Sequence, residues 1–344
     1  MTSFRLAVEK DDALVRSLLR GNPMPTWVDL AIEREPSYFA AKDLFGHDWA
    51  VIAEEKGNVI GMYTAAVVPV HVDGRPEQLG YLGGLRVNPR HRRRIRYLRD
   101  GYASIRRLAP AAGSLPWWFT VVATENTAAR RLLESGVPGL PAYYFQGDYV
   151  TFAVATARGR RRNLWRRAAH ADIPHIVAFY NAKAAQFQCS PVLTEHLVRR
   201  IGIEHFFIYD ERGVAALWDQ RAFKQIVARR YRTPLRSLRP VYNLYAALLR
   251  RIPLPPEGAA LDQTFIAFLA LDDAAEARAT ELLLDLLSHC KTPAASIGLH
   301  ARNALVPVIK KMKPLSYPAR VYAVCFEGKP PHNGRPVQPE AALL

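Results

Sequence analysis

Arg90, Arg92, Arg93, Arg94 and Arg96 crowd into the stretch Asn88-Pro89-Arg90-His91-Arg92-Arg93-Arg94-Ile95-Arg96-Tyr97, which follows an apolar run and leads into residues with helical spacing. The first turn of a helix presents unpaired backbone N–H groups and a partial positive charge, so cations there are unfavourable unless an anion compensates them. Two or more phosphates would do so, with the helix N–H groups as directional donors and the guanidinium groups supplying charge and two-pronged contacts. The chemistry implied is the gripping of a pyrophosphate between a strand end and a helix start. The plainer reading, arginines solvated or paired with surface carboxylates, has few nearby acids to draw on.

The elements that must position this turn are legible on both sides of it. Phe4 to Val8 predicts a short strand, and Asp11 to about Arg20 a helix that opens on acidic residues. Trp49 to Glu54 and Val59 to Val72 are apolar runs separated by the hairpin signal Glu55-Lys56-Gly57-Asn58. After the arginine turn come a strand at Trp117 to Ala123, a helix from about Thr127 to Glu134, and closing strands that include Asp148 to Ala155.

The second half repeats that order, from a short strand at Leu164 to Ala168 through a helix over 171–184 to a last strand at Arg320 to Phe326. Two halves with one element order imply a tandem duplication. The seam is the basic run Ala157-Arg158-Gly159-Arg160-Arg161-Arg162, read as a solvated linker, with an RNA-binding tract as the sharper alternative. Arg229 to Arg251 interrupts the second half with arginines among Leu, Val and Tyr; it reads as a helical insertion packed on its own domain, or as a segment lying on an anionic membrane.

The 344 residues, 49% of them hydrophobic and 23% charged, suit two folded domains. A formal net charge of +16 favours phosphate-bearing partners: nucleic acid, an anionic membrane surface or a nucleotide-like cofactor. Three scattered cysteines, with no CxxC pair, imply a reducing cytoplasm and no structural metal. No apolar run is long enough to cross a bilayer or serve as a signal peptide.

Leu85-Arg86-Val87-Asn88-Pro89-Arg90-His91-Arg92 resembles the strand-and-turn motif of the GNAT acetyltransferases, with Arg92 at the family's Arg or Gln position. Val121-Val122-Ala123-Thr124-Glu125-Asn126-Thr127-Ala128-Ala129-Arg130-Arg131-Leu132-Leu133-Glu134 is similar to that family's next strand and Asn-led helix. The resemblance covers about residues 1 to 155. It implies an α/β (α+β) fold of two GNAT-like domains in tandem, each a central mixed, mostly antiparallel sheet flanked by helices. Residues 1–157 would carry the acyl-CoA site, residues 163–328 a degenerate copy, and residues 329–344 a flexible tail. Two departures stand out: Ile95 and Tyr97 replace the family's turn glycines, and Leu133 falls where many members carry a tyrosine acid.

The resemblance further implies that acetyl-CoA or another acyl-CoA is held by Leu85, Arg86, Val87, Arg92, Arg93, Arg94, Ile95, Arg96 and Asn126, and that its acyl group passes to an amine acceptor. Glu77 and Tyr143 are the candidates for proton handling, ahead of Glu125 and Tyr144, while His71 and His91 read as ordinary loop histidines. The competing expectation is a catalytically inactive module that uses its basic surface on nucleic acid or an anionic membrane. A cytoplasmic or peripheral location and a homodimer complete the expectations.

Overall fold

The computed structural model describes residues 2–24, 28–91, 95–108, 115–330 and 334–344. The first half runs β1 (Thr2–Leu6), α1 (Asp12–Arg20), β2 (Val28–Glu33), β3 (His47–Glu55), β4 (Asn58–Val72), β5 (Arg75–Val87), α2 (Ile95–Leu108), β6 (Trp117–Ala123), α3 (Thr127–Glu134) and β7 (Ala142–Ala155). The second runs β8 (Arg166–Arg167), α4 (Ile173–Ala184), β9 (Ser190–Pro191), α5 (Glu195–Ile201), β10 (Phe206–Tyr209), β11 (Gly213–Trp218), β12 (Gln225–Tyr231), α6 (Thr233–Leu248), β13 (Gln263–Leu271), α7 (Asp273–Glu276), α8 (Ala279–Ser288), β14 (Ala294–His300), α9 (Leu305–Lys311) and β15 (Leu315–Cys325). The hairpin expected between β3 and β4 turns on Lys56 and Gly57, both at positive φ (53° and 76°), as a two-residue loop between right-twisted strands requires.

Each half is a mixed, mostly antiparallel sheet, and the two are continuous. The strand order is β1-β3-β4-β5-β6-β15-β7-β14-β13-β11-β10-β8, with β9 against β4. The last strand of each half has therefore crossed over. The first half's β7 pairs with β14, and the second half's β15 pairs with β6, while β7 and β15 pair with each other from Ala142↔Cys325 to Ala153↔Leu315. Neither half retains its own closing edge, so the ladder that completes one fold completes the other.

Alternation along the strands sorts the core onto two faces. Ala50, Ile52 and Met62 pack under α1, and Val68, Val70, Val214 and Ala216 continue that face beneath α4 and α5. On the opposite face Val51, Tyr63 and Ala65 lie under α2, and Phe152, Ala215 and Leu217 lie under α8 and α9.

The structure differs from or adds to the expectations in four places. The chain after Gly213 forms two strands, β11 and β12, and β12 leaves the main sheet to pair with β2. That ribbon ties the halves together through Arg229 to Glu33 and Arg230 to Asp29. The helical segment that opens at Asp273 breaks at Ala277-Arg278, where Arg278 (φ −103°, ψ 13°) turns its guanidinium to the Tyr209 hydroxyl and Glu281. The basic seam is solvent-exposed from Arg160 to Asn163, as a linker would be, but its backbone is anchored: buried Asp285 accepts from the N–H groups of Arg162, Asn163, Leu164 and Trp165. The segment expected to be a flexible tail is packed over 334–344, with Val337, Ala341 and Ala342 buried. Its carbonyls at Pro339 and Ala342 accept from the Tyr149 hydroxyl and the Gln220 amide. The prolines that suggested looseness only remove donors; the apolar residues between them find the core.

Candidate functional site

Strands β5 and β6 are parallel but paired only at Gly80↔Trp118 and Tyr81↔Phe119, after which they diverge. Gly80 permits the contact, since a Cβ there would lie 2.1 Å from the Trp118 ring. Beyond the split, the Leu82 carbonyl is satisfied by the Thr120 hydroxyl at 2.7 Å, so a side chain bridges where the backbone no longer can. Three residues past the last pair, β5 bulges: Thr64 faces Gly83 and Met62 faces Arg86, leaving Gly84 and Leu85 without register partners on β4. Gly84 adopts φ +60°, the left-handed conformation of a glycine bulge. A bulge beside a split leaves backbone polar groups aimed into a cleft. The Gly83-Gly84 pair inside a strand pattern was the available sequence signal for it.

The cleft runs toward the arginine turn. Asn88 shapes that turn, its carbonyl accepting from His91 N–H at 2.8 Å and its side chain from Arg90 N–H at 3.1 Å. Arg92, Arg93 and Arg94 lie outside the described residues. Ile95 opens α2, and Arg96 is paired with Glu55 at 2.8 Å, so a carboxylate already shares part of the positive charge there. Tyr97 stands at a family glycine position because its ring is buried against Ala53 and Ile60, with its hydroxyl donating to Glu55 at 2.7 Å. Arg86 is half-buried and donates to the Leu85 carbonyl at 3.0 Å. Burial pulls its pKa down, and among the described residues its Nε has no hydrogen-bond partner. Leu85 is exposed and Val87 half-buried at the end of β5.

The other candidates are dispersed. Asn126 caps α3, its side chain accepting from Ala129 N–H. Glu77 lies opposite Val70 near the β4–β5 turn, seven residues before the bulge and so roughly 23 Å from it along an extended strand. Tyr143 sits on the α2 face, its hydroxyl bonded to that of Tyr102, and burial raises its pKa well above the usual tyrosine value. The structure does not bring Glu77 and Tyr143 together. Unanticipated was Tyr322 of β15, whose hydroxyl donates to Glu134 at the end of α3, close to the apolar Leu133.

The second half contains the same device. Strands β13 and β14 pair in parallel over Gln263 to Phe265 and then part. Three residues past the last pair, β13 bulges at Phe268, which adopts φ +51°. Here the occupant is the chain itself. Glu340 accepts from the Phe268 N–H at 3.0 Å, and Gln338 bonds the Gly298 carbonyl and the His300 N–H, both at 2.8 Å. A residual cavity of about 170 Å³ remains, walled by Ile266, Leu269 and Ile297. Where a phosphate would dock, α7 opens on Asp272, Asp273 and Glu276, which would repel it.

Glu340 and Lys224 form a buried titratable pair beside this plug. Burial raises Glu340 to about 7 against the pull of the Phe268 and Ala342 N–H groups, and burial lowers Lys224 to about 7. Lys224 donates to the Ala342 carbonyl at 3.3 Å and to the Leu344 oxygen. Between pH 4.5 and 7 the folded chain holds a proton at Glu340 that the unfolded chain releases, so stability falls as pH rises. Between pH 7 and 10.5 the unfolded chain holds a proton at Lys224 that the folded chain has lost, so stability rises. Thermal melts should therefore show a minimum near pH 7, with arms of up to about 1.4 kcal/mol per pH unit, flattened in a Glu340→Gln, Lys224→Met double variant. A profile unchanged by that double substitution would refute the assignment.

No family profile matches the sequence, and no curated protein matches it. Solved structures do resemble it. Saccharomyces cerevisiae N-myristoyltransferase with bound myristoyl-CoA and inhibitors aligns over 98% of this chain and 84% of its own, at 10% identity and a TM-score of 0.60. A putative acetyltransferase from Pyrococcus horikoshii aligns over 95% and 90%, at 12% identity and 0.53. A GCN5-related N-acetyltransferase from Anabaena variabilis aligns over 94% and 72%, at 9% identity and 0.50. Together with the split, bulged strand pair built twice, these matches show that the chain has the GNAT superfamily fold, in tandem across one shared sheet.

Proposed function

We propose that the protein is an acyl-CoA-dependent N-acyltransferase whose first half holds the donor in the cleft between β5 and β6. The observation that carries this reading is the duplicated bulge. In the second half the bulge N–H already binds a carboxylate oxygen, that of Glu340. Its counterpart at Gly84 and Leu85 is offered the thioester carbonyl in the same way, and preorganised donors of this kind favour the oxyanion that develops there. Leu85, Arg86 and Val87 line the donor's path along β5, and the start of α2 with Arg92, Arg93, Arg94, Ile95 and Arg96 receives the pyrophosphate. Asn126, engaged as a helix cap, orders the opposite wall.

In the reaction the amine nitrogen bonds to the thioester carbon, the C–S bond breaks, and the thiolate takes up the proton that the amine gives up. Glu77 is too far along β5 to accept that proton directly, and Tyr143 is committed to Tyr102, so the acceptor enters as the neutral amine and its proton reaches the thiolate directly or through water. Acetyl-CoA is the expected donor. The tandem layout shared with the yeast enzyme, solved with myristoyl-CoA, makes a longer acyl chain the second reading.

Isothermal titration with acetyl-CoA and myristoyl-CoA distinguishes the two. The donor the site is built for should bind more tightly than the other, with one molecule per chain, because Gln338 and Glu340 fill the second cleft. Thiol release on adding an amine should follow. Absence of binding by either thioester, or two sites per chain, would contradict the reading.

A further inference from the structure

Helix α6 is inserted between β12 and β13, and its outward face is apolar. Leu238, Val241, Leu244, Tyr245, Leu248 and Leu249 are between 47% and 75% exposed, at spacings that align them along one side, whereas Ala246 is the helix's buried residue. Globular helices place such a stripe against a core; this one is turned outward by its own anchors. Leu235 packs with Leu30 and Tyr231 under the β2–β12 ribbon, and Asn243 exchanges two hydrogen bonds with the Leu254 backbone at 2.8 and 3.0 Å. The Tyr242 hydroxyl donates to the Ile252 carbonyl.

The surroundings of the stripe are basic. From Arg229 to Arg251 the sequence has seven arginines and no acid; three of them, Arg229, Arg230 and Arg236, are paired with Glu33, Asp29 and Glu257. Arg251 donates to the Lys313 carbonyl at 3.1 Å, which joins the end of α6 to the exposed Lys310, Lys311 and Lys313. Leu315 and Tyr317, both more than a third exposed, extend the apolar surface from the start of β15. Among the described residues no helix is long and apolar enough to cross a membrane, so the stripe is not a span.

We infer that α6 docks the protein onto an anionic lipid bilayer, the stripe entering the acyl boundary while Arg250, Arg251 and the three lysines meet the headgroups. A two-fold contact with a second copy would bring the same basic rims together, which the charge opposes. The inference is independent of acyl-CoA binding.

Flotation with vesicles of phosphatidylcholine alone, and of equimolar phosphatidylcholine and phosphatidylglycerol, tests it. The chain should bind the anionic vesicles and largely ignore the neutral ones, with affinity falling as salt rises. Leu244→Asp with Leu248→Asp should weaken binding at least about tenfold at unchanged melting temperature, both side chains being exposed. Lys310→Gln with Lys311→Gln should weaken it several-fold and flatten the salt dependence. No vesicle binding by the parent chain, equal binding by the aspartate variant, or a dimer that this variant dissolves would overturn the inference.

Discussion

Asp285→Ala is expected to lower the unfolding free energy by about 3 to 5 kcal/mol, the range for stripping the partner from buried, charge-assisted bonds. The Asp285 carboxylate is fully buried on α8 and receives four successive N–H groups, from Arg162 to Trp165, at 2.6 to 3.2 Å. Alanine would leave all four without a carboxylate and would free the segment joining the halves. Asn would restore one acceptor but oppose the remaining donors with its own N–H groups, so it should recover little. Burial pushes the Asp285 carboxyl up, yet the N–H groups of Arg162, Trp165 and Leu164 outweigh it and hold the group below the ordinary aspartate value. Its contribution is thus complete at neutral pH and is lost as pH falls through the lowered value. Urea denaturation checks this: a midpoint within error of the parent's would show that the seam needs no such anchor.

Gly84→Val is expected to reduce acyl-CoA affinity at least about tenfold and to destabilise the fold by about 2 kcal/mol. At φ +60° a β-branched residue is strained, and the new Cβ would sit 2.8 Å from the Thr64 side chain. Relief requires β5 to flatten, which moves the N–H groups proposed to face the thioester. Phe268 holds the equivalent conformation without being glycine because its N–H is bonded to Glu340 and its ring is buried beside Tyr180 and Phe206. Titration of Gly84→Val with the donor that binds the parent, with circular dichroism as the control for folding, decides the matter. Parent-like affinity in a folded variant would separate the bulge from donor binding.

Much of the architecture was legible because it is local. The apolar run of Val59 to Val72, the turn chemistry of Lys56-Gly57 and the helix from Thr127 to Glu134 each depend on neighbours within a few residues, and each element formed where expected. The candidate site was legible only in part. Val87 to Ile95 marked the strand-to-helix turn, whereas Glu77 and Tyr143 rest on residue type and order along the chain, and neither says which side of a sheet, or which end of a cleft, a group occupies.

The sequence by itself determined two halves of one element order, a basic turn at a helix start and a GNAT-like strand, turn and helix, since each is carried by contiguous residues. Only the tertiary structure decided that β7 and β15 change places, that one bulged cleft is filled by Glu340 while its twin lies beside the arginine turn, and that the stripe of α6 faces outward. Those outcomes rest on contacts between residues far apart in the chain, whose strength is set by burial and geometry that no local pattern encodes.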